Sequence, residues 1–357
     1  MGLKTRMVGR RSLLLNPTRD PYFPLKPRIL DQPKSGKLAS PPVCVGSGFI
    51  ALDFIFDGKD STRPNRVFAG GSCGNVLTIL PLLGWESHAA ARLKEDRFGE
   101  AVIKDFKRCN VDTELLLREA NGVTPVVIQR NLSQSETKKG SGKGFKFEWR
   151  CPISGTRLPM YRPQPIRFVE EIIDKIPTAA VFYFDRAEKS LLLMAEELRR
   201  RGALIMFEPA SFKEDPVARK CLEVAHIVKY ADDRIDRSPF ATMNKRPFLE
   251  IQTMGEAGLR YRISKPGVGD MWRSSPAKSL ESFVDSCGAG DWCTAGIIAK
   301  MGKLGAEGAK KLRVSEIVKA IKAGQTLSAI NCEFPGARGG LYRSERSEML
   351  RRIRAVS

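Results

Sequence analysis

DSCGAGDWCTAG, residues 285–296, sets three minimal side chains, Gly288, Ala289 and Gly290, directly before an apolar run compatible with a helix. Small residues let backbone approach a ligand closely, and the exposed amides and dipole of a first helical turn attract anions. Asp291 then falls inside that first turn. A carboxylate beside an anion site needs a chemical reason, and handling a proton is one. With a substrate hydroxyl between Asp291 and a terminal phosphate, Asp291 can accept the proton as the hydroxyl attacks. The 288–290 amides would meanwhile stabilise charge on the transferring phosphoryl group. Alone, the same residues also describe an ordinary helix N-terminus with an acid favourably placed in turn one.

Around this stretch the second half of the chain alternates strand and helix. IRFVEEIIDKI reads as a helix, AAVFYFDR as a strand, and EKSLLLMAEELRRRG as a helix stopped by Gly202. ALIMFEP is a strand, PVARKCLEV a helix and HIVKY a strand; FLEIQTMG and GLRYRI follow as strands about a Gly-containing turn, and a last helix covers 315–331. Nearer the N-terminus, VCVGSGFIALDFIF (43–56) is a buried strand with a glycine break running into a second extended piece. AGGSCGNVLTILPLLG (69–84) is a Gly-rich turn entering an apolar helix, and RFGEAVIKDFKRCNV (97–111) has one apolar helical face. TPVVIQRN (124–131) and FKFEWR (145–150) read as a long hairpin joined by the polar KKGSGKG. The alternation predicts an α/β fold with a mainly parallel sheet covered on both faces. Ligands of such sheets sit beyond the carboxyl ends of the strands.

The 285–296 segment resembles the DTxGAGD signature of the ribokinase-like (PfkB) carbohydrate kinases. Upstream, Gly70-Gly71-Ser-Cys-Gly-Asn75 is similar to that family's GG-x-x-x-N, and Gly48-x-x-x-x-Asp53 to its first strand. Asp96, Phe98 and Gly99, then Val111-Asp112-Thr113, follow in the family's order, and Thr253-Met-Gly255-Glu-Ala-Gly258 resembles its nucleotide turn. The likeness spans about residues 43–340. It implies a three-layer α/β/α domain over 41–340 with a small or reduced β lid from elements within 54–68 and 124–150. It also implies transfer from ATP to a hydroxymethyl group of a sugar or nucleoside, with Asp291 as general base and Gly288, Ala289 and Gly290 as anion hole. Asp53, Asn75 and the Gly70-Gly71 backbone would hold the acceptor; Thr253, Gly255 and Gly258 would line the nucleotide. Taken singly, Asp53 also reads as a solvated strand-end acid and Asn75 as a helix N-cap. Asp285 corresponds to the family acid that organises a monovalent-cation loop.

The likeness breaks in four places. Where relatives carry N-x-x-E for Mg²⁺, HIVKYADDRI (226–235) offers Ala231 and Arg234; Asp232 and Asp233 could supply a carboxylate at altered spacing. Glu208 stands where many relatives have Asp or Asn, and Lys94-Glu95 where Gly is common. Only 16 residues separate Asp53 from Gly70, little room for a lid, so the site is more open or the 124–150 hairpin covers it. The altered metal position motivates a second reading: a catalytically weak or inactive kinase-fold protein that binds a ligand for regulation. GSGKG (140–144) is a decoy, because a P-loop needs Gly at 137 and Ser or Thr at 144, which are Thr and Gly.

The chain has 357 residues and a formal net charge of +20. Residues 1–40 carry +7 with prolines throughout, 138–150 carry +4 and 338–357 carry +4, so the motif-bearing remainder is near balance. The 1–40 segment reads as a basic extension, either a tail, a surface-wrapping arm or a targeting signal, and 341–357 as a basic tail. These ends could meet nucleic acid, although no nucleic-acid motif accompanies them. Eight scattered cysteines with no C-x-x-C and only two histidines argue against zinc and for reduced thiols in the cytoplasm. No apolar run is long enough to span a membrane. Relatives of this kind are monomers or lid-paired homodimers.

Overall fold

A computed structural model describes residues 40–58, 63–132, 144–343 and 346–355. Nearly all of the basic N-terminal extension and of the KKGSGKG loop lies outside the described residues. The strands are β1 (Val43–Ser47), β2 (Ala51–Asp57), β3 (Arg66–Gly70), β4 (Glu86–Lys94), β5 (Val111–Asp112), β6 (Leu116–Glu119) and β7 (Val126–Asn131). They continue as β8 (Phe145–Glu148), β9 (Val181–Phe184), β10 (Leu204–Phe207), β11 (Ile227–Ala231), β12 (Leu249–Thr253), β13 (Leu259–Ile263) and β14 (Arg273–Ser275).

The central sheet runs β14-β13-β12-β11-β10-β9-β1-β4-β5, with β6 beside β4. Every pair from β12 to β5 is parallel, and β13 and β14 are antiparallel additions at one edge. Alternate residues of its strands enter different cores, which is why the strands read as unbroken apolar runs. Val181, Tyr183, Leu204 and Met206 join the core of helices Gly71–Ile79, Arg97–Arg108, Ala289–Met301 and Val314–Cys332. Phe182, Phe184, Ile205 and Phe207 join the opposite core of helices Ile166–Ile172, Lys189–Arg200 and Pro216–Val224. The architecture is the expected three-layer α/β/α sandwich.

A second sheet, ordered β3-β2-β7-β8, stands apart from the first. Residues of both 54–68 and 124–150 enter it: β2 pairs antiparallel with β3 and parallel with β7, and β7 pairs antiparallel with β8. The basic C-terminal segment is helical over Arg346–Ala355, and Leu341 and Met349 are buried in the main core. Among the described residues no helix is long and apolar enough to cross a membrane.

The helix that carries Asp291 is seated by glycines. A Cβ on Gly296 would lie 2.7 Å from Gly324 Cα, and one on Gly324 would lie 2.6 Å from the Cys293 carbonyl oxygen. The Ala289–Met301 and Val314–Cys332 helices therefore touch backbone to backbone. Gly324→Val should force them apart and cost about 2 kcal/mol or more by overpacking, lowering the thermal midpoint by roughly 5 °C. An unchanged midpoint would show that this crossing has slack.

Candidate functional site

Parallel strands deliver their carboxyl ends to one edge of the central sheet, and the polar residues gather there. Gly48 follows β1, Asp185 follows β9, Glu208 follows β10, Asp232 to Arg234 follow β11 and Thr253 ends β12. The Ala289–Met301 helix starts at Gly288, which holds the left-handed conformation at φ 72°. A Cβ there would stand 2.6 Å from Ala337 Cα, so the turn requires glycine both for conformation and for space. The Ala289 amide is taken by the Ser286 carbonyl at 3.2 Å. The next amides of the turn have no intrahelical acceptor.

Asp291 is buried in that first turn, and its Oδ2 accepts a 2.7 Å hydrogen bond from Asn75 Nδ2. Burial pushes its carboxyl up to about 8, helped by the negative charge of Glu208 and opposed by Asn75, Lys229 and Arg234. Glu208 is itself engaged. It pairs with the Lys229 ammonium and accepts bonds from Thr294 Oγ1 at 2.6 Å and Tyr183 OH at 3.2 Å. Lys229 is 1% exposed, and its Nζ lies 3.6 Å from where a Gly290 Cβ would be. Glu208 Oε1 lies 3.7 Å from the same point, so the Lys229–Glu208 ion pair as a whole sits behind the turn.

Asp53 projects from β2 and is buried, with Oδ1 unpartnered. Burial raises its carboxyl to about 7, while Arg338 and the Gly71 amide pull it down. Any side chain on Gly70 would collide with the Asp53 carboxylate, and Gly71, at φ 77°, would collide with the Phe49 carbonyl. The Gly-Gly pair is what lets the acid and the helix Gly71–Ile79 meet. Asn75 lies inside that helix, not at its cap, which is Gly70. Its Oδ1 accepts from Arg338 Nε at 3.4 Å, so its amide is oriented with the nitrogen towards Asp291. Arg338 is buried against Asp105 at 2.7 Å and the Ala69 carbonyl. Asp53, Asn75, Gln129, Arg66 and Arg338 line one cavity.

Asp285 ties two loops together. Its oxygens accept from the Cys287 amide at 2.7 Å and the Gly336 amide at 2.6 Å, and burial lifts it to about 6. The Cys287 thiol reaches Gln129 of β7 at 3.2 Å, joining this loop to the second sheet. Thr253 ends β12, where its carbonyl accepts the Asp232 amide at 2.9 Å. Gly255 and Gly258 flank a single turn at φ 56° and 94°. Asp232 and Asp233 are exposed side by side. Among the described residues no group of three or more His, Cys, Asp or Glu side chains could hold a metal.

Three residues of this edge escape motif reading. Asp185 is 1% exposed; its Oδ1 accepts the Phe49 amide at 2.7 Å and its Oδ2 faces the Arg186 guanidinium at 3.5 Å. It is the acid directly after a buried strand, a signal present in AAVFYFDR. Lys229 is a charge inside the apolar strand HIVKY, a placement proteins avoid without a partner. Arg338, in PGARGG, carries no local signal.

No family model and no curated protein matches the sequence. Solved structures do. A sugar kinase from Pyrococcus horikoshii, in complex with ATP, is 19% identical with a TM-score of 0.64, covering 88% of this chain and 100% of its own. Fructokinase from Vibrio cholerae O395, with fructose, ADP and calcium, is 16% identical at 0.63, covering 88% and 100%. A nucleoside kinase from Burkholderia thailandensis, with inosine, is 16% identical at 0.60, covering 88% and 97%. Likeness over nearly the whole of each chain, at such low identity, is likeness of architecture: the protein has the ribokinase-like fold.

Proposed function

We propose that the protein is an ATP-dependent kinase of the PfkB type, phosphorylating a hydroxymethyl group of a sugar or nucleoside. The observation that carries this reading is Asp291, a buried carboxylate in the first turn of the glycine-fronted helix, bonded to Asn75 and raised towards the operating range of a base. Asp53 Oδ1, buried and without a hydrogen-bond partner among the described residues, is an acceptor in want of a donor, as a polyol hydroxyl is. As the acceptor oxygen forms its bond to the terminal phosphorus and the bond to the ADP oxygen breaks, the hydroxyl proton passes to Asp291. The amides of the 288–290 turn would hold the phosphoryl oxygens. Thr253, Gly255 and Gly258 would lie along the nucleotide.

Asp232 and Asp233 suit Mg²⁺, which takes one or two protein carboxylates and completes its shell from phosphates and water. Bound, it would neutralise phosphate charge. Arg234 already acts electrostatically on Asp291 from the same loop. A monovalent cation at Asp285 would have to share both carboxylate oxygens with backbone amides, and the two loops are tied without it.

Phosphate transfer from ATP over a panel of sugars and nucleosides tests the reading. Asp291→Asn should lower kcat by roughly 10²–10⁴ while ligands still raise the thermal midpoint. An equally active variant would remove Asp291 as base, and ligand stabilisation without turnover on any acceptor would favour the regulatory reading.

Two pH dependences follow from the raised carboxyl. Rate should climb as pH rises to about 8 and then level, because only the ionised form accepts a proton. Stability runs the other way. The folded state holds the Asp291 proton more tightly than the unfolded chain, so stability falls as pH rises from the unfolded value of about 4 towards 8. Asp291→Asn should therefore melt above the parent protein at pH 8, with the gap narrowing towards pH 4; a variant less stable at both would contradict the burial argument. Glu208→Gln removes a charge that raises Asp291 and should move the midpoint of the pH–rate curve down. An upward or absent movement would separate Glu208 from the base.

A further inference from the structure

We propose that the acceptor is a glycoside with a flat aromatic aglycone, a nucleoside in chemical class, whose ring rests on a shelf made by Phe147 and Trp149; this rests on the kinase reading above. The register of the second sheet carries the inference. Arg66, Ile55, Gln129 and Phe147 stand opposite one another across β3, β2, β7 and β8. Cross-strand partners share a face. The first three line the cavity that holds Asp53 and Asn75, so Phe147 extends that wall outward, and Trp149, two residues on, lies on the same side. Gln129 also accepts the Cys287 thiol, which fixes this face against the loop leading to Asp291.

The outer part of the wall is aromatic and open. Phe147 and Trp149 are each 40% exposed, with ring centroids 6.5 Å apart, and Phe145 is 5.0 Å from Phe147. The surface thus changes along one line from buried acids and amides to exposed aromatic faces. A ligand matching both ends has hydroxyls at one end and a flat ring at the other. A second copy of the chain is the competing occupant of an open edge strand. Its pairing there would bring together two segments that each carry +4 over residues 138–150, which disfavours it.

The test compares ribose and fructose with adenosine and inosine as acceptors for the full chain, and for Phe147→Ala, Trp149→Ala and Trp149→Phe. Nucleosides should exceed free sugars in kcat/KM by at least about ten-fold. Either alanine variant should shrink that advantage roughly ten-fold through KM, since stacking on one aromatic face is of that order, and Trp149→Phe should largely restore it. Nucleoside added without ATP should quench fluorescence of the parent more than of Trp149→Phe. Free sugars preferred, or an advantage unmoved by the alanine variants, would overturn the shelf while leaving a sugar kinase standing. Quenching by nucleoside with no transfer to any acceptor would support the shelf and remove the kinase reading. Sedimentation showing a dimer that Trp149→Ala dissociates, with nucleoside KM unmoved, would assign the face to a second copy and overturn the proposal.

Discussion

An acid cannot be buried in the first turn of an apolar helix unless its surroundings are built for it, and the rest of the site follows from keeping Asp291 there. Among the described residues its carboxylate has one direct side-chain donor, Asn75. That amide is orientated by Arg338, and Arg338 is held in turn by Asp105 and the Ala69 carbonyl. The chain of contacts links helix Gly71–Ile79, helix Arg97–Arg108 and the segment after helix Val314–Cys332 to a single side chain. On the other side, buried Lys229 and half-buried Glu208 form a pair whose two charges act on Asp291 in opposite senses. Removing either member would leave the other uncompensated, the costly case for buried ions.

Space matters as much as charge. Asp53 has room only because residue 70 is glycine, and Gly288 fits only because it has no Cβ to meet Ala337. The contact of Gly296 with Gly324 brings two helices closer than ridges of side chains would permit, and so fixes the height of the turn above the sheet. Glycine placement and acid placement are one design here: each minimal residue stands where a carboxylate or a backbone amide must come close.

Much of this was readable from the chain. The apolar strand runs and their helical partners gave the sandwich, because burial on both faces removes polar alternation. The Gly-Ala-Gly-Asp, Gly-Gly-x-x-x-Asn and Gly48-x-x-x-x-Asp53 patterns singled out Asp291, Asn75 and Asp53, because backbone approach leaves a mark of small residues. Arg338 was not readable: its meaning lies in contacts with residues 69, 75 and 105, more than two hundred positions away. The second sheet was legible in its strands but not in its assembly. Nothing local in TPVVIQRN announces that β7 pairs parallel with β2 across four intervening strands and the helices Gly71–Ile79 and Arg97–Arg108.

Function of this kind has a thermodynamic signature. Asp53, Asp285 and Asp291 are raised to about 7, 6 and 8, each first by burial. A raised carboxyl means that the folded state resists ionisation, so each of the three opposes folding at neutral pH. Three such buried acids make little sense as scaffolding, since uncharged side chains of similar size would be more stable. Asp285 recovers part of its cost by accepting two amides and tying two loops. Asp53 and Asp291 keep unfilled capacity: an unpartnered oxygen on one, a single side-chain donor on the other. The loops could be closed without those two acids, and under the proposed kinase reading the hydroxyls of an acceptor would supply the missing donors.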